Sequence, residues 1–101
     1  MKFIKEKMTF VLNSNDDFLE EVYNNKDKKV RVEIYEIISE SRLSKKPIAF
    51  VELDYEDWNK LDNFSYLSDA CFEDINMYNE YNNFMENLIN KINSEDLIQL
   101  I

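Results

Sequence analysis

The chain contains no glycine in 101 residues. Glycine is the residue that enters positive φ without steric cost, so sharp turns and left-handed helix endings must here fall to Asn or Asp. The same absence removes several functions at once. Phosphate-binding loops, dinucleotide-binding loops, nucleophile elbows and the usual calcium loop all place glycine where the backbone turns tightly or meets a ligand. Histidine is absent too. That excludes Cys/His zinc sites of the usual kind, histidine acid–base catalysis, and Ser/His or Cys/His dyads. Cys71 is the single cysteine, so no internal disulfide is available. Its aromatic neighbourhood reads as that of a small apolar residue. No cofactor is expected.

The length suits one domain, residues 1–101, and the seven Phe, six Tyr and one Trp argue against disorder. No apolar run approaches the roughly 18–20 residues needed to span a bilayer. The opening MKFIKEK lacks the apolar stretch of a signal peptide. The expectation is an unprocessed, cytoplasmic protein with no membrane partner.

Residues 7–12, KMTFVL, read as a strand. Ser14 with Asp17 resembles a capping box, which starts a helix near Asn15 and puts Phe18, Leu19, Val22 and Tyr23 on one face. Residues 30–38, VRVEIYEII, alternate: Val30, Val32, Ile34 and Ile38 face one way, with Glu36 as the exception. A polar connection, 39–47, leads to a strand at 48–53, IAFVEL, and an antiparallel hairpin is the simplest pairing. Asp54 is placed to cap a helix holding Trp58 and Leu61. From about Asp69 to Asn93 the apolar period is helical: Tyr78, Tyr81, Met85, Leu88 and Ile92 form a stripe opposite a row of asparagines. Such a stripe is core-facing. Ser94 then caps a short final turn, EDLIQLI. The expected fold is α+β, in the order β-α-β-β-α-α: a small antiparallel sheet of about three strands with helices packed on one face.

The net charge is −9, and it is unevenly placed. Residues 1–50 hold ten basic and nine acidic side chains, whereas residues 51–101 hold two basic and twelve acidic ones. The stretch from Val51 to Asp74 interleaves carboxylates with aromatics. Glu52, Asp54, Glu56, Asp57, Asp62, Asp69, Glu73 and Asp74 are candidate contacts for a basic protein surface, and Trp58 or Tyr66 a candidate anchor. Carboxylates in a row can also stand in for phosphates, which opens sites built for nucleic acid. The protein itself, at this charge, is not expected to bind nucleic acid directly. The structural alternative is a solvated acidic face over an aromatic core. Asp54, Glu56 and Asp57 are close enough to suggest hard-metal ligands, but calcium-loop spacing is missing.

The opening MKFIK, the strand KVRVEIYEI, and IAFVELDYEDW leading into a helix together resemble small type I anti-CRISPR proteins, in element order over about residues 1–61. The resemblance implies a phage-encoded, non-enzymatic inhibitor acting in the host cytoplasm, which blocks a nucleic-acid-binding effector by occupying its DNA-contacting surface. Two other classes stay open, the first of them on the same charge pattern. One is an immunity protein or antitoxin that neutralises a cationic toxin. The other is a structural protein that oligomerises through its C-terminal stripe, so monomer and homodimer both stay open.

Overall fold

The computed structural model describes residues 1–101. The elements are β1 (Met8–Val11), α1 (Asp16–Asn24), β2 (Val30–Ser39), β3 (Arg42–Leu43), β4 (Ala49–Leu53), α2 (Tyr55–Ser65), a 3₁₀ turn (Asp69–Glu73), α3 (Ile75–Ser94) and β5 (Gln99–Leu100). The fold is α+β, with an antiparallel sheet in the order β1-β2-β4-β5 and β3 paired to β2.

β2 organises the sheet because its alternation leaves no choice of register. Val30 pairs with Leu53, Val32 with Val51 and Ile34 with Ala49. Paired residues share a face, and all six are buried. A slip of one residue would exchange this face for Arg31, Glu33 and Tyr35. Val22 of α1, Trp58 and Leu61 of α2, and Met85, Leu88, Ile89 and Ile92 of α3 close over the same face in one core. The molecule therefore has two layers, with helices on one side of the sheet. On the bare side, the Arg31 guanidinium lies 3.6 Å from the centre of the Phe50 ring.

Three sequence expectations shift. Asn15, not Ser14, caps α1, its side chain accepting the Phe18 N–H at 2.8 Å. The polar connection at 39–47 contains β3, because Ile37 and Ser39 find partners in Leu43 and Arg42. Ile38 follows a register irregularity there and is 52% exposed, so the apolar alternation ends at Ile34. The third change concerns the long C-terminal helix, which is interrupted at Asp74. That carboxylate accepts from the N–H groups of Asn76 and Met77, at 2.8 and 3.1 Å, and starts α3 afresh. Only the second half of the stripe is fully buried, while Tyr78 remains half exposed.

The end of α3 shows how the chain turns without glycine. Asp96 adopts φ 51°, the sole positive φ in the molecule. The Leu97 N–H donates to Ile92 O at 3.0 Å, and the Asp96 N–H to Asn93 O at 3.3 Å. This is the Schellman arrangement with aspartate in the left-handed position. Leu97 packs on the core beside Ile92, and Ile98 is buried. The turn redirects the chain into β5, which pairs with β4, so the expected helical turn is a strand instead. Asn93 adds a second tie: its side chain accepts the Phe3 N–H at 2.7 Å and donates to Phe3 O at 3.1 Å. Phe3 then stacks on Phe10 of β1 at 4.4 Å.

Asp96→Val should cost about 1–2 kcal/mol, because a β-branched residue is strained in the left-handed region, whereas Asp96→Gly should be neutral or stabilising. Urea unfolding of the two variants beside the parent measures both.

Candidate functional site

The carboxylates expected to form one face are divided by the fold into groups with different surroundings. Glu52 lies on the bare side of the sheet, in register with Arg31. Asp54 caps α2, accepting the Asp57 N–H at 2.9 Å. Asp57 itself pairs with Lys91 of α3 at 3.0 Å, and Asp54 lies 3.8 Å from the same ammonium. Asp74 is committed to capping α3. Glu56, Asp69 and Glu73 are exposed, and no ion pair engages them. Asp54, Glu56 and Asp57 do not converge as metal ligands, and nowhere do three carboxylate or thiol groups gather in such a set.

The two candidate anchors part company. Tyr66, just past the end of α2, is 81% exposed. Trp58 is 6% exposed and belongs to the core, so its ring supports α2 from below and does not project to a partner. Its indole N–H is buried without an acceptor. Phe64 and Phe72 both meet Tyr81 of α3 edge-on, at 5.3 and 5.1 Å. The first contact holds α2, and the second the 3₁₀ turn, on α3.

Two clefts flank α2, and they differ in charge. The cleft between α2 and α3 has a volume of about 530 Å³. It carries Asp57 and Glu80, but also Lys60 and Lys91, the only two cations of the second half. The asparagine face of α3 lines it through Asn76, Asn79, Asn83 and Asn87. Its charge is thus balanced from within. Asp57 is the largest influence on Lys91, its hydrogen bond and charge holding the ammonium pKa above the usual lysine value. The pair is partly exposed, so its contribution to stability is small.

The cleft between α1 and α2, about 450 Å³, is lined by Asp16 and Glu20 from α1 and by Asp62 from α2. No Lys or Arg lines it, and none of the three carboxylates is in an ion pair. Tyr23, Tyr55 and Trp58 supply its aromatic wall. Burial pushes the Asp62 carboxyl above the ordinary carboxylate pKa, because no neighbouring cation offsets the lost hydration. Of the acids expected at the site, Asp62 is the one this cleft contains. Its companions Asp16, Glu20, Tyr23 and Tyr55 lay outside the expected contacts. A signal for them exists: 16, 20, 23 and 55, 59, 62 are each spaced by four and three, the spacing of one helical face.

No protein-family model matches the chain, and no curated protein or solved structure matches it either. No helix is long and apolar enough to cross a membrane.

Capping and display separate cleanly by mutation. Asp74→Ala should cost about 1 kcal/mol through loss of the α3 cap, whereas Asp69→Ala should stay within about 0.5 kcal/mol of the parent. Chemical denaturation at neutral pH reads the difference. Asp62 has the opposite character. Its folded pKa is raised, so the folded state holds the proton more tightly, and the stability it adds in acid is lost as pH rises through the folded pKa. Asp62→Asn should therefore raise the melting temperature at pH near 7 and leave it nearly unchanged well below the ordinary Asp pKa of about 3.9. A pair of melting curves checks the sign.

Proposed function

We propose that this chain is a non-enzymatic acidic binding protein that engages a basic surface on a protein partner, in the manner of a phage-type anti-defence inhibitor. The partner is a nucleic-acid-binding effector, and inhibition is competitive: carboxylates occupy the Lys and Arg groups that otherwise hold phosphates. One observation supports this reading above others. Only Glu21, Asp54 and Asp57 of the 21 acidic side chains lie within ion-pair distance of a lysine, and none of the 21 is buried. The remaining acids have no ion-pair partner within the chain, and apart from Asp74, which caps α3, and Asp96, which makes the left-handed turn, folding alone does not require them.

The available face differs from a simple reading of residues 51–74. Asp54, Asp57 and Asp74 are already engaged in caps and an ion pair. Glu56, Asp62, Asp69 and Glu73 are uncommitted, and Asp16 and Glu20 join Asp62 across the α1–α2 cleft. Tyr66 supplies an exposed aromatic beside them in the chain.

The test is competition. The immobilised protein should capture a nucleic-acid-binding effector from host lysate, and added nucleic acid should displace it. Capture should weaken as salt rises from about 0.05 to about 0.5 M, where screening shortens severalfold. Changing Glu56, Asp62, Asp69 and Glu73 together to their amides should reduce capture without lowering the melting temperature. Capture that is indifferent to both salt and these changes would overturn the proposal. A cationic toxin taken in place of a defence effector would decide for the immunity-protein class.

A further inference from the structure

We propose that the cleft between α1 and α2 is a receptor for an arginine side chain presented by the partner. This inference rests on the acidic-binding reading above and assigns it a specific pocket.

The walls carry two kinds of recognition in one place. Asp16, Glu20 and Asp62 bring negative charge from two helices, with no basic residue of the chain among the lining groups. Tyr23, Tyr55 and Trp58 form a connected aromatic row, Tyr23 meeting Tyr55 edge-on at 5.2 Å and Tyr55 lying 5.9 Å from Trp58. Tyr23 is 66% exposed at the open end, although Val22 beside it is buried. A cation held among ring faces and carboxylates gains from the ring quadrupole and from direct charge pairing. Burial of Asp62 adds a local preference for an incoming positive group.

Two larger concavities elsewhere lack this combination. The α2–α3 cleft is already supplied with Lys60 and Lys91. The groove beside β1, lined by Phe10, Leu12, Phe72 and Tyr78 among others, contains no charged residue. A guanidinium fits the α1–α2 cleft better than an ammonium does. It is planar and less strongly hydrated, so it stacks on an aromatic ring while its N–H fork reaches a carboxylate. Trp58 contributes a further feature: it lines this cleft, is more than nine-tenths buried, and its indole N–H is the one buried side-chain donor without an acceptor.

Trp58 is the only tryptophan, so its single indole N–H resonance reports on the cleft directly. The probes are hexa-arginine, hexa-lysine and hexa-citrulline, titrated into the intact protein. Hexa-arginine should shift the indole resonance and bind at least about threefold more tightly than hexa-lysine, while hexa-citrulline should not bind. Tyr23→Ala and Asp62→Asn should each weaken hexa-arginine about three- to tenfold, and Ile38→Ala, at an exposed position on β2 outside the cleft, should leave it unchanged. Asp62→Asn is nearly isosteric and Tyr23 is exposed, so melting temperatures no lower than the parent's will separate lost binding from lost folding. If hexa-arginine binds both cleft variants as tightly as the parent, the cleft assignment is overturned while the acidic-binding reading survives. Equal affinity for hexa-lysine overturns the arginine preference. If the parent binds neither cationic peptide at low salt, both proposals fall.

Discussion

The alternation of β2 is the constraint on which the molecule depends. β2 pairs with β1, β3 and β4, and its residues Val30, Val32 and Ile34 are fully enclosed. Three buried apolar side chains on a period of two fix the register against β4, and Ile34 extends it to Phe10 of β1. They also fix which side the helices must cover. Once that side is chosen, Asp54 follows Leu53 at the end of β4 and turns the chain into α2. The flanks of α2 then become the clefts toward α1 and α3. Every property of the candidate site is downstream of that choice.

The carboxylates of the chain thus serve two ends that its composition does not separate. Carboxylates at helix starts are taken up by backbone N–H groups, where the local dipole favours negative charge. Asp54 and Asp74 are in this position, and Asp57 is drawn to Lys91. Carboxylates in the middle of helices have no such occupation. Asp62 and Glu20 are of this second kind, and both line the cleft that lacks a cation of its own. The net charge is therefore a poor guide to where a partner sits, because it counts the occupied and the unoccupied acids alike.

Much of the fold was legible from periodicity. The strands at Met8–Val11, Val30–Ser39 and Ala49–Leu53, the cap at Asp54 and the single-sided helical layer all follow from patterns of two or of 3.6. β3 and β5 were not legible, because two-residue strands carry no period. Their existence depends on a neighbouring edge being in reach. The break at Asp74 was hidden for a different reason. A capping carboxylate and a mid-helix carboxylate look alike until the preceding turn is known. At the candidate site, the sequence identified carboxylates and aromatics as the relevant chemistry but drew them from one contiguous stretch. The cleft takes them from two helices that lie about thirty residues apart in the chain. Trp58 illustrates the same limit: its neighbours suggested display, while its spacing to Leu61 placed it in the core.

The Asn93 carboxamide behaves as a borrowed peptide group, giving Phe3 the donor and acceptor that an adjacent strand would otherwise provide. Its two ends are not equivalent. Loss of ammonia from this one side chain would set a carboxylate oxygen against the Phe3 carbonyl and replace attraction with repulsion. Slow chemical ageing thus has a defined point of entry, at the seam joining the start of the chain to the end of its longest helix and remote in sequence from the residues that line the α1–α2 cleft.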